Sequence, residues 1–170
     1  MSGEEGKRAA IGLLEREWHS LDAWLRSLDD RQLARPVFGE GPGWRVRDMI
    51  PHMAWWQELA ARVAEKIARE GGAPDDRGSR PFLGIETPLD ELNATTFETW
   101  RERPMAACWD RWLAAHSRMM EAFGTLGPDQ LLQADGGVEG LKRYFAVPGL
   151  IHLRIHRDNI ASALKESSTT

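Results

Sequence analysis

The chain has 170 residues, a net charge of −4 at pH 7 and one cysteine, Cys108. This length predicts a single domain over residues 1–170, and the acidic balance indicates no nucleic-acid partner. One cysteine excludes an internal disulfide bond and is typical of the reducing cytoplasm, where we expect the protein to reside.

Membrane association is not expected. No apolar run reaches the roughly 18–20 residues that cross a bilayer. Residues 1–6 also lack the basic and then apolar order of a signal peptide. Eight tryptophans accompany a single tyrosine, and we expect most of the tryptophans to fill the core.

The apolar periodicity is helical almost throughout the chain. A first amphipathic helix is predicted over residues 4–28, and a second from Val46 to Glu70, ended by Gly71 and Gly72. The first helix is indicated by apolar residues every three or four positions: Ile11, Leu14, Trp18, Leu21, Leu25 and Leu28. Residues 71–86 predict a long polar loop.

The second half predicts two more long helices and one short one. Thr87 is the predicted N-cap of the short helix, which ends near Trp100. Pro104 opens a helix that ends near Phe123. Residues 124–148 are expected to be irregular, apart from a turn at 128–132, and a last helix is predicted over 148–165. The whole pattern predicts an all-α bundle.

The residues that most clearly indicate a binding or catalytic site are histidines. His152 and His156 lie four positions apart, on one face of the last helix, opposite its charged side chains. His52 and His116 point inward from two other helices, whereas His19 lies on a solvent-facing surface. Because buried imidazoles need partners, the pair with a third inward histidine favours a divalent metal site over hydrogen-bonded core residues.

Two segments resemble the DinB/YfiT-like superfamily of metal-binding four-helix bundles. Residues 43–55 resemble the opening of that superfamily's second helix, with Trp44, Val46, Asp48 and His52 at the motif positions. Residues 152–160 resemble its last-helix motif. The resemblance implies an antiparallel four-helix bundle with one short extra helix and a long loop between the second and third long helices. It also implies a zinc or nickel site at His52, His152 and His156.

The resemblance extends to function. Several relatives are S-transferases or isomerases that use bacillithiol or mycothiol, so a low-molecular-weight thiol is an expected co-substrate. Three protein ligands leave a coordination position open, as in catalytic zinc sites. We therefore expect a metal-dependent enzyme for thiol S-transfer or related detoxification of a small electrophile. Homodimers are common among the relatives, although no exposed apolar stripe here requires one.

Further side chains are predicted near the metal. Asp48 is the preferred carboxylate for fixing a histidine tautomer, or else it complements the helix N-terminus. Other candidates for the pocket, or for support of the metal ligands, are Trp44, Trp56, Asn93, His116 and Tyr144. Cys108 lies at the edge of an apolar face and is expected to be an inert buried thiol.

Some positions favour a different interpretation. Pro51 is expected to kink the first turns of the second helix and to re-aim His52. Residues 92–104 resemble the branch of the superfamily that includes the colibactin self-protection proteins, whose members need not keep the metal ligands. The alternative function is therefore a non-enzymatic bundle that binds a small molecule without metal.

Overall fold

The computed structural model describes residues 2–37, 43–75, 78–134 and 140–165. These residues form helices and loops with two isolated β-bridges and no strand, which confirms the all-α prediction. The helices are α1 (Gly3–Arg26), α2 (Asp30–Leu33), α3 (Val46–Glu70), α4 (Ser79–Phe82), α5 (Leu89–Trp100), α6 (Met105–Thr125), α7 (Pro128–Leu131), α8 (Arg143–Ala146) and α9 (His152–Lys165). Within the described ranges, no helix is long and apolar enough to cross a bilayer.

The four long helices lie where the apolar period predicts them, and α3 has the predicted bounds. The short helices are the main differences. The predicted loop over 71–86 contains α4, and the segment expected to be irregular contains α8. The four-residue α2 was not predicted, although Asp29 caps it by accepting a hydrogen bond of 2.7 Å from the Gln32 backbone N–H. One turn of helix is too short to show an amphipathic period.

The two central helices, α3 and α6, run parallel. Glu58 binds Arg111 across their interface, and seven residues further along both helices Glu65 binds Arg118, each at 2.7 Å. Both pairs are separated by 53 positions in the chain. A constant separation requires helices that run in the same direction. The expected antiparallel arrangement is therefore wrong for this pair of neighbouring helices.

A long crossover connection explains the parallel pair. After α3 ends, α5 runs back along it, so that Phe97 stacks on Trp44 with ring centroids 4.8 Å apart. At the end of α5, the Arg101 carbonyl accepts a hydrogen bond of 2.7 Å from Arg45. The chain thus returns to the start of α3 before α6 begins, as in bundles with crossover connections.

The outer helices, α1 and α9, run opposite to α3 and α6. Lys7 and Asp22 of α1 accordingly reach the end and the middle of α6, where Lys7 bonds to the Gly124 carbonyl and Asp22 accepts from Trp112. Glu17 pairs with Arg154 at 2.8 Å, and Leu14 lies against Gly149, which makes α1 and α9 parallel.

The core is rich in tryptophan, as expected. Trp18, Trp44 and Trp112 are buried, and the other five tryptophans are partly buried. Trp18 stacks on Trp112 between α1 and α6 with ring centroids 5.2 Å apart. Cys108 is buried too, and burial raises the pKa of its thiol, as expected for an inert side chain.

The first turn of α3 is held by Asp48 and Arg45. The Asp48 carboxylate accepts one hydrogen bond from the Arg45 backbone N–H and two from the Arg45 guanidinium, at 2.9–3.1 Å. Both carboxylate oxygens are engaged there, and Asp48 is only 3 % exposed. The helix continues through Pro51, whose missing N–H falls in its second turn.

We predict that Asp48→Ala lowers the free energy of unfolding by about 1–3 kcal/mol, because the helix start loses its acceptor and Arg45 loses its partner. Urea unfolding of the metal-free protein measures the change. Glu98→Ala is the matched control, since this exposed carboxylate pairs with Arg101 on the surface of α5. Equal unfolding midpoints for the two variants would contradict the capping role.

Candidate metal centre

A turn of π-helix precedes the two histidines of α9. It spans Val147–Ile151, and the His152 backbone N–H donates to the Val147 carbonyl, five residues back. Pro148 has no N–H for the Tyr144 carbonyl, which instead accepts a hydrogen bond of 3.5 Å from the Ser79 hydroxyl. Because α8, the π-turn and α9 follow one another without a break, the helical run begins at Arg143, before the predicted start at residue 148. Because a π-turn holds more residues than a turn of α-helix, the side chains after it point in different directions from those of an uninterrupted α-helix.

Three imidazoles from α3 and α9 converge on one point. The Nε2 atom of His152 lies 2.9 Å from Nε2 of His52 and 2.7 Å from Nε2 of His156. Among the described residues, these three form the group of histidine, cysteine and carboxylate side chains that could hold a metal ion, with ligand atoms within 4.8 Å of one another. Pro51 therefore does not turn His52 away from the pair.

Hydrogen bonding alone does not account well for this arrangement. An imidazole Nε2 offers either one proton or one lone pair, so His152 cannot make full linear hydrogen bonds to both neighbours. A cation bound to the three lone pairs would satisfy all of them. Nitrogen atoms around a tetrahedral zinc ion lie about 3.4 Å apart for bonds of about 2.0–2.1 Å, so the triad would open by about half an ångström.

The electrostatics favour the neutral, metal-binding form. Burial, followed by the neighbouring His156 and His52, lowers the pKa of His152 far below its ordinary value. His52 and His156 are each 2 % exposed, and His152 is partly exposed. Neutral imidazole is the form that ligates metals. Since His152 is the partly exposed member of the triad, the open side of the site lies at His152.

Aromatic rings surround the triad. Trp44 meets His52 edge-on, with centroids 5.2 Å apart, and Trp56 lies 4.5 Å from the His152 ring. Trp44 also stacks on Phe97, so it packs between α3 and α5. These rings cover part of the surface of His52 and His152 and lower the local dielectric constant there.

A cavity of about 570 Å³ is lined in part by Trp56, whose ring contacts His152, although none of the three histidines lines it. Its wall includes Trp56 and Tyr144, two of the predicted pocket residues, together with Val147 and Pro148 of the π-turn. Trp44 and Asn93 do not line it, although the Asn93 side-chain oxygen is buried without a hydrogen-bond partner among the described residues. Sequence reasoning missed its polar residues Asp75, Ser79, Arg80 and Arg143, because they lie in short helices and loops without a periodic pattern.

Asp48 does not take the predicted supporting role beside a histidine. Its two oxygens bind Arg45 at the start of α3, which is the alternative that the sequence left open. The physical reason is proximity, because a carboxylate at the third position of a helix reaches the free N–H at the helix start.

His116 is inward, as predicted, but it lies apart from the triad. Its ring stacks on Trp18 with centroids 4.1 Å apart, in the core between α1 and α6. It is 6 % exposed, and its Nδ1 has no hydrogen-bond partner among the described residues. Burial, followed by the nearby His19, lowers its pKa to about 4. His116 is therefore not one of the three converging imidazoles, and its support of the metal ligands stays a prediction.

Comparison with protein families gives an independent result. A family model described as the mycothiol maleylpyruvate isomerase N-terminal domain matches residues 14–156, which include the whole triad. The chain belongs to this family. The match confirms the resemblance to the DinB-like superfamily. No curated protein and no solved structure matches the chain.

We predict that His116 makes the protein less stable in acid. Between pH 6.5 and about 4, the unfolded chain protonates this histidine while the folded protein keeps it neutral, so stability falls as the pH decreases. Urea unfolding of metal-free protein should show wild type losing about 2–3 kcal/mol more than His116→Leu between pH 7 and 4. Curves of equal pH dependence would refute the burial of a neutral His116.

Proposed function

We propose that this protein is a metal-dependent enzyme that activates a small thiol for attack on a small electrophile. His52, His152 and His156 would hold the metal, and the convergence of their three Nε2 atoms is the observation that carries the proposal. The reaction class is thiol S-transfer or a related detoxification step, in which the sulfur atom gives up its proton and forms a bond to an electrophilic carbon, while a leaving group departs from that carbon or an electron pair shifts out of its double bond.

The ligand set supports zinc or nickel. Neutral imidazoles suit zinc, nickel, copper and iron, whereas calcium and magnesium prefer oxygen ligands. Three protein ligands leave at least one coordination position for a reactant, and His152 is the member of the triad that is partly exposed. A structural zinc site, in contrast, is closed by four protein ligands.

The environment of the triad supports nucleophile activation. A divalent ion held there would lower the pKa of a thiol or a water molecule, so that its conjugate base is available near neutral pH. Trp44 and Trp56 pack against the rings of His52 and His152 and so reduce their contact with solvent. The cavity that Trp56 lines is large enough for a small reactant, and the Trp56 ring lies 4.5 Å from the His152 ring.

The family supports a thiol rather than water as the nucleophile. Its description names mycothiol, a low-molecular-weight thiol, and an isomerase of maleylpyruvate. We propose mycothiol or a similar thiol as the co-substrate and a small organic electrophile as the substrate. A homodimer in solution is a further part of the proposal, and size-exclusion chromatography with light scattering tests it.

Elemental analysis tests the metal site. We expect about one equivalent of zinc or nickel in the purified, untagged protein, and none in a His152→Ala/His156→Ala double variant, because two of three ligands are lost. His19→Ala is the control and should retain the metal, since His19 lies outside the triad. If folded wild-type protein neither contains nor takes up zinc or nickel, the enzymatic proposal fails and the non-enzymatic binding bundle is favoured.

Cobalt substitution tests the thiol. Adding a thiol to the Co²⁺-loaded protein should produce a new near-ultraviolet absorption band from sulfur bound to the metal, and His52→Ala should weaken or abolish it. Bound cobalt without such a band, for mycothiol and for simple thiols alike, would exclude sulfur as the metal's ligand. Water would then be the proposed nucleophile.

A further inference from the structure

Two large apolar side chains are exposed on the described part of the chain, and one of them lies beside the triad. Ile155 of α9 is 49 % exposed, and Leu113 of α6 is 52 % exposed. Single apolar side chains at the surface are common in proteins, so exposure alone assigns no role to either residue. Ile155 differs from Leu113 in its position, because it follows His152 by three residues in the same helix.

Ile155 and His152 share one edge of α9. Residues three apart on a helix are neighbours on its surface, and helical side chains lean toward the N-terminus of their helix. The Ile155 side chain therefore lies over the turn that contains Ile151 and His152. At 100° per residue, His152 lies at the margin of the buried stripe of Leu153 and Ile160, and Ile155 lies beyond His152 on the solvent side.

The same edge is the open side of the triad. His152 is partly exposed there, whereas the other two histidines are buried. The opposite edge of α9 is occupied by α1, since Arg154 forms an ion pair of 2.8 Å with Glu17. Ile151, the last residue of the π-turn, is partly buried one turn before Ile155 and continues its apolar surface. A reactant that reaches the triad past His152 therefore meets hydrocarbon.

We propose that Ile155, continued by Ile151, is a specificity-determining residue that contacts the hydrocarbon part of a reactant held at the open coordination position. The inference rests on the proposed function, because it requires a metal at the triad. The class of reactant is a thiol or an electrophile with an apolar chain or ring next to its reacting atom. Each methylene group that such a reactant removes from water contributes up to about fourfold in affinity.

Ethanethiol and 1-butanethiol test the proposal on the zinc-loaded protein. Both thiols release one proton to the buffer and bind zinc through sulfur, so they differ only by two methylene groups. We expect wild-type protein to bind 1-butanethiol about four- to tenfold more tightly than ethanethiol in calorimetric titrations. In Ile155→Ser this ratio should fall to about twofold, while the affinity for ethanethiol stays close to that of wild type.

Two further variants serve as controls. Leu113→Ser removes an equally exposed apolar side chain outside the triad and should keep the wild-type ratio. Ile155→Leu should also keep it, because the hydrocarbon surface remains. An equal loss of affinity for both thiols in Ile155→Ser would indicate a structural effect on the triad and would overturn the proposal.

Methyl NMR signals test the contact directly. The Ile155 Cδ1 methyl signal, identified by its absence in Ile155→Leu, should move when 1-butanethiol binds to the zinc-loaded protein, and the Leu113 methyl signals should stay in place. Binding of 1-butanethiol without movement of the Ile155 signal would refute the contact. A second copy of the chain is the competing occupant of this surface. A dimer that dissociates in Ile155→Ser, with the affinity ratio unchanged, would assign Ile155 to the dimer interface instead.

Zinc uptake separates this inference from the proposed function. If the protein takes up no zinc, both fail, because Ile155 then has no metal-bound reactant to contact. If zinc binds and neither thiol does, thiol activation and the role of Ile155 are refuted, while the metal site stands. If both thiols bind with the same affinity ratio in wild type and in Ile155→Ser, only the role of Ile155 is refuted.

Discussion

The meeting of three imidazoles at the interface of α3 and α9 is the constraint on which the candidate site depends. His52 comes from the second turn of α3, and His152 and His156 from the first two turns of α9. α9 runs antiparallel to α3, and its register along α3 brings His152 to Trp56 and His156 to His52. The site is therefore built from rigid helices, which fix the imidazoles more firmly than loops would.

The crossover between α3 and α6 supplies residues that pack around the interface of α3 and α9. Its α5 returns along α3 and places Phe97 on Trp44, behind His52. Its earlier part places Ser79 and Arg80 at the cavity, where Ser79 bonds to the Tyr144 carbonyl. The connection that makes two central helices parallel thus also supplies one wall of the cavity. Val147 and Pro148 of the π-turn line the same cavity.

The buried histidines have different physical situations. His52 and His156 share their site with a third imidazole, whereas His116 is stacked on Trp18 in an apolar core. A lowered pKa is found at His152 and at His116, so this property alone does not identify a ligand. Convergence of nitrogen atoms distinguishes the two cases, because a metal ion needs several lone pairs directed at one point.

The sequence by itself determined the four long helices and the inward direction of His52, His116 and His156, since both follow from a local period of 3.6 residues. The motif around His52 and the pair in α9 also selected the triad before any contact was known. Only the tertiary structure decided that α3 and α6 run parallel and that His116 stacks on Trp18 instead of joining the three converging imidazoles. These outcomes depend on which surfaces meet across 50 or more positions of chain. Local periodicity carries no information about such contacts, because any inward stripe can pack against several partners.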